Sequence, residues 1–162
     1  MGTEPNTPEA TLRSLTVQHA QQYLALLQAH DWDAWSRLWA EDAILEFPYA
    51  PDDRPNRYEG REAILRYMSA TTESIAVDSV TELTIHEQLA PEELVVELAI
   101  DGRLLHNGAR YQQRYVTFFK FENGLIRHYR EYWNPLITIE AFGGYEAWRK
   151  GAARWSSAST QG

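Results

Sequence analysis

The 162-residue chain is 44% hydrophobic and 12% aromatic, enough apolar mass for one globular domain with its own core. A formal net charge of −8 disfavours nucleic acid or an anionic membrane as a partner, since recognition of either needs a basic face. Cysteine is absent, which excludes disulfides, thiolate nucleophiles and Cys-ligated metal centres.

Residues 1–10 are polar and contain two prolines, and disorder is expected there. This start has neither the basic stretch nor the apolar run of a signal peptide, and no apolar run approaches the roughly 18 residues that span a bilayer. A cytoplasmic protein is expected. Residues 11–150 read as one domain and 151–162 as a tail. From Leu12 to His30, Leu12, Leu15, Val17, Ala20, Tyr23, Leu24, Leu26 and Leu27 share one broad side at helical spacing, with His19 one turn before Tyr23. Asp31 is a candidate cap for a second helix, Trp32 to Trp39, whose Trp32, Trp35 and Trp39 also recur at helical spacing. A strand follows at Ala43 to Phe47 and stops at Pro48. Pro51 to Tyr58 reads as a loop, and Gly60 opens a third helix through Thr72.

After Val77 the pattern becomes extended: Val80 to Gln88, Glu93 to Ile100, Tyr111 to Phe121 and Leu125 to Trp133, separated by turn residues such as Asp101-Gly102 and Asn123-Gly124. Helices followed by a meander of long antiparallel strands make an α+β fold, in which a curved sheet wraps around three N-terminal helices as a cone. Thr138 to Lys150, interrupted by Gly143-Gly144, reads as a short helix or strand closing the open end.

Several motifs carry a resemblance. Gln22-Tyr23, Ala40-Glu41-Asp42-Ala43 leading into Glu46-Phe47-Pro48, Gly60-Arg61-Glu62-Ala63-Ile64 and Phe119-Lys120-Phe121-Glu122-Asn123-Gly124 resemble the nuclear-transport-factor-two-like superfamily over about residues 10–135. Within it the chain resembles SnoaL-like polyketide cyclases and ketosteroid isomerases, and Arg130-Glu131-Tyr132-Trp133-Asn134 is similar to phenazine biosynthesis proteins of the PhzA/PhzB type. The resemblance implies a cystatin-like roll enclosing a pocket, in a homodimer joined through the outer sheet face. It also implies departures. The isomerases' catalytic aspartate falls on Phe47 and their second oxyanion-hole acid near Thr117. The phenazine-type glutamate matches Glu131, but the helical histidine and the serine one turn later fall on Tyr67 and Thr71.

Alternation places Tyr129, Glu131 and Trp133 on one strand face and His128, Arg130 and Tyr132 on the other. On a pocket-facing side, Glu131 is a carboxylate between aromatic rings, and burial raises a carboxyl pKa toward the range where it both takes and gives a proton. On a solvated face it would be an ordinary ion-paired glutamate. Tyr23 and Tyr115 are candidate donors to a developing oxyanion. His19, Phe47, Tyr67, Thr71, Thr117, Tyr129 and Trp133 complete the candidate binding set. Gln113, Tyr115, Thr117 and Phe119 share one face; Arg114, Val116, Phe118 and Lys120 share the other, where Val116 and Phe118 suit a dimer contact. Trp35 reads equally well as core. His86, His106 and His128 have no carboxylates at metal-ligand spacing, and there is no glycine-rich phosphate loop, so neither a metal nor another cofactor is expected. Asp101 and Arg103 have the spacing of a limonene-type epoxide hydrolase set but fall at a glycine-containing turn.

The expectation is an isomerase, cyclase or dehydratase (lyase) of secondary metabolism, acting by acid–base catalysis on a small hydrophobic or aromatic carbonyl-bearing molecule. The alternative is a non-catalytic ligand-binding or protein-interaction module of the same fold.

Overall fold

Thr7 accepts a hydrogen bond from the Ala10 N–H at 3.2 Å, and Pro8 follows at the first helical position, where its missing N–H costs nothing. Together they start helix α1 (Pro8–Ala29) earlier than expected. The computed structural model describes residues 7–52 and 54–157, so the rest of the expected disordered segment, residues 1–6, and the last five residues of the expected tail lie outside it. The tail itself is helical up to Ser157. Only Thr16, Ala20 and Tyr23 of α1 are fully buried; the apolar side is narrower than its composition suggests, and Leu15 is exposed.

Asp31 caps α2 (Trp32–Ser36) as expected, accepting from the Ala34 N–H at 3.0 Å. The helix stops at Ser36 because the backbone from Leu38 joins a sheet: Leu38 C=O accepts from the Ile126 N–H at 2.7 Å, and Trp39 opens strand β1 (Trp39–Glu46). The tryptophan spacing therefore reported burial rather than helicity, since Trp35 and Trp39 are both fully buried on either side of the change. Part of the expected loop pairs with β1 as a short strand, β2 (Arg57–Glu59), and Gly60 leads into α3 (Arg61–Thr72).

Strands β3 (Ile75–Glu87), β4 (Glu93–Leu104), β5 (Arg110–Glu122) and β6 (Leu125–Trp133) form the meander. The curved, unclosed sheet has the order β2-β1-β6-β5-β4-β3, antiparallel except for the parallel pairing of β1 with β6. The chain is thus α+β, as expected. Two helices, α4 (Pro135–Ala141) and α5 (Tyr145–Ser157), follow the last strand and are separated by Gly143 and Gly144, both at positive φ. No helix among the described residues is long and apolar enough to cross a membrane.

Asp101-Gly102 is not a turn. It lies inside β4, opposite Ser79 and Val77 on one side and Gln112 and Tyr111 on the other. Here β3 shifts register and its backbone crowds β4, so that a Cβ on Gly102 would sit inside contact distance of the Ala76 carbonyl. Gly102→Ala should therefore destabilise the protein by about 2–3 kcal/mol, read by urea unfolding. An unchanged midpoint would show that β3 yields freely at this point. The neighbouring Asp101 and Arg103 pair outward with Arg110 and Asp78, which removes the epoxide-hydrolase set.

Packing divides the core in two. One cluster joins Tyr23, Trp35, Trp39, Leu45, Ile64 and Phe119 under α1–α3, and the other joins Ile100, Leu104, Tyr111, Phe142 and Trp148 under α4 and α5. Strands β4 and β5 run through both, and a cavity lies between them, with walls supplied by each.

Candidate functional site

The cavity has a volume of about 690 Å³. Its wall is mostly apolar: Phe47 and Met68 near the first cluster, Leu104 and Phe142 near the second, and Val77, Val80 and Leu83 along β3. Among the described lining residues there is no Lys, Arg or Asp, and Glu131 supplies the carboxylate.

Strand alternation puts Glu131 there. Its β6 neighbours face the outer side, where His128 bonds Glu46 at 2.6 Å and the Arg130 guanidinium lies 5.1 Å from the Phe118 ring centroid. On the inner side Tyr129, Glu131 and Trp133 all line the cavity. The Tyr129 hydroxyl donates to Glu131 Oε2 at 2.5 Å, and Thr117, directly opposite on β5, is a second side-chain donor. Burial pushes the Glu131 carboxyl up to about 7 against the opposing pull of these two donors. Glu131 is partly accessible and lines the cavity.

Four phenols surround it. Tyr129, Tyr23, Tyr67 and Tyr115 all have their pKa raised, first by burial and, in each case, further by the charge of Glu131. They are therefore held as neutral O–H donors. Tyr23 is 1% exposed, its ring 5.5 Å from that of Tyr129, and its hydroxyl sits by the Tyr129 hydroxyl and Glu131 without a hydrogen bond of standard geometry. Tyr67 stacks on Tyr58 with centroids 4.3 Å apart, while the Thr71 hydroxyl donates to the Tyr67 carbonyl at 2.8 Å.

Tyr23, Phe47, Tyr67, Thr71, Tyr115, Thr117, Tyr129, Glu131 and Trp133 are all brought to the one cavity. His19 is not. Its ring lies 5.9 Å from that of Phe121 and faces Gly124 in the β5–β6 turn, outside the cavity lining. The helical angle between His19 and Tyr23 is small, but the sheet end covers the first turn and leaves the second at the cavity. His19→Gln should leave ligand affinity within about twofold of the wild-type value in a fluorescence titration, a change of only about 0.4 kcal/mol, since the ring lies outside the cavity lining. A larger loss would place His19 in the binding surface.

Sequence reasoning missed Tyr111 and Thr138, which also line the cavity. Tyr111 has the same strand parity as Tyr115 and was open to the same argument. Thr138 was hidden because the segment after Trp133 shows no clear period.

A SnoaL-like domain model matches residues 20–129. An uncharacterized PhzA/B-like protein of Pseudomonas aeruginosa is 36% identical over 124 residues, covering 76% of this chain and 87% of its own. A Bacillus subtilis crystal structure provisionally named an isomerase superposes with a TM-score of 0.76 at 34% identity, covering 82% of this chain and 95% of that one. A Mycobacterium tuberculosis protein, solved in complex with estradiol-17beta-hemisuccinate, has a TM-score of 0.63 at 22% identity, covering 76% and 96%.

Proposed function

The chain belongs to the SnoaL-like domain family, and on that premise we propose that it is an acid–base enzyme acting on a small, flat, uncharged carbonyl compound, as an isomerase, cyclase or dehydratase. One observation carries this reading: a carboxyl group poised near pH 7, buried among protonated phenols at the wall of an otherwise apolar cavity. Glu131 takes a proton from the carbon beside the carbonyl and returns it to another carbon or to a departing oxygen. The electron pair released moves onto the carbonyl oxygen, where a Tyr23 or Tyr115 O–H stabilises the enolate. The mostly apolar wall, with no Lys or Arg among the described lining residues, favours a neutral ligand.

A homodimer contact belongs to the same proposal, on the outer face where Phe118 is 38% exposed beside Tyr132.

The test is exchange of the α-hydrogens of 2-tetralone, a flat aromatic ketone, in D2O, followed by NMR. Exchange well above the buffer rate supports the enzyme reading. Exchange at the buffer rate sinks it and leaves the cavity as a binding site without chemistry, a role the Phe47 and Tyr67 departures would accommodate.

A further inference from the structure

At the far end of the cavity from Tyr129, a second polar centre is built around Gln113, a fully buried residue of β5. Its amide cannot flip. Oε1 accepts from the N–H groups of Asn134 at 3.0 Å and Arg114 at 2.9 Å, and Nε2 donates to the Asn134 carbonyl at 2.9 Å. The second Nε2 hydrogen is directed at Thr138 Oγ1, 3.2 Å away, with the Tyr111 hydroxyl at 3.5 Å.

With Thr138 Oγ1 an acceptor toward the amide, its own hydrogen is free for the hydroxyl beyond it. Thr138 Oγ1 lies 3.3 Å from the Tyr111 hydroxyl, which lies 3.5 Å from that of Tyr115. Each contact holds one hydrogen. Three hydroxyl hydrogens share two hydroxyl–hydroxyl contacts, so at least one is left without an acceptor inside the cluster. In the arrangement that continues the donation from the amide, Thr138 accepts from Gln113 and donates to Tyr111, and Tyr111 donates to Tyr115, which leaves the surplus hydrogen on Tyr115. Tyr111, Tyr115 and Thr138 all line the cavity. Tyr115 stands two residues from Thr117, the residue opposite Glu131, so the two polar centres are about 7 Å apart along β5.

We propose that Tyr115, oriented as a donor by Gln113 through Thr138 and Tyr111, forms a subsite that selects ligands presenting an uncharged acceptor oxygen at this end of the cavity. The inference rests on the ligand being a flat carbonyl compound, as proposed above, but not on any chemistry at Glu131. Tyr111 and Gln113 are positioning residues; Tyr115 touches the ligand.

The probes are 9-fluorenone and its oxygen-free analogue fluorene, titrated against the full chain by quenching of tryptophan fluorescence. Wild-type protein should bind the ketone about fivefold more tightly, the worth of one neutral hydrogen bond. Tyr115→Phe should bring the ratio to about one, and Tyr111→Phe, which removes the group that polarises Tyr115, to an intermediate value. 9-Fluorenone has no hydrogen on the carbons beside its carbonyl, so the ratio is read without catalysis, and an intact ratio beside 2-tetralone exchange at the buffer rate is a failure of the proposed chemistry and not of this subsite. Equal affinities in the wild type, no binding of either compound, or a ratio that survives Tyr115→Phe while both affinities fall together would overturn the proposal.

Discussion

Glu131→Gln should lower the rate of 2-tetralone exchange by about 10²–10⁴-fold, the usual contribution of a positioned general base. Glutamine preserves the shape of the side chain, and its carbonyl still accepts from Tyr129, but it has no basic oxygen pair. Ligand affinity should change little, because the cavity wall is otherwise intact. In the wild type the rate should climb with pH as the carboxyl ionises through about 7 and then level off, while the variant should show no such step. A variant that retains the wild-type rate would remove Glu131 from the chemistry. A step in the pH profile that persists in the variant would assign the titration to another group.

The same replacement should make the protein more stable at alkaline pH, by about 3 kcal/mol, from a displacement of the carboxyl from 4.5 to about 7 at roughly 1.4 kcal/mol per pH unit. The sign follows from proton binding. The folded chain holds this proton more tightly than the unfolded chain, so between about 4.5 and 7 it binds more protons and loses stability as pH rises. Below that window both states are protonated and the site costs nothing; above it both are ionised and the full cost of a buried charge is present. Glutamine carries no such charge at any pH. Urea unfolding at pH 8.5 and at pH 4 should therefore show a gain for Glu131→Gln at the first and little difference at the second. Equal stability at both would mean that Tyr129 and Thr117 solvate the carboxylate as well as water does.

The strand-rich half of the chain was the more legible. Alternation along β6 separated Glu131 from Arg130 correctly, because one face is apolar and the other carries paired charges such as His128 with Glu46. The start of β3 left no such trace: it is an edge strand, nearly all of it exposed, with two register shifts that break its period. Gly102 misled for a related reason. Glycine next to aspartate signals a turn locally, but here it answers the close approach of a neighbouring strand, which is a long-range fact. At the site, side chains on one strand face were found by parity, whereas His19 was misplaced because a helical projection gives direction and not depth. Gln113 shared the right face in sequence, but its role depends on where Asn134 returns, and no local pattern encodes that meeting.

Because the core is divided, the proposed proton carrier and the proposed donor subsite belong to different neighbourhoods. Tyr23, Phe119 and Tyr129 pack into one half, while Tyr111 packs with Phe142 and Trp148 in the other. Substitutions under α4 and α5 can therefore reshape which molecules are admitted while the surroundings of Glu131 stay as they are. On the proposed function, ligand selection and proton transfer can then change independently, because each is carried by its own half of the core.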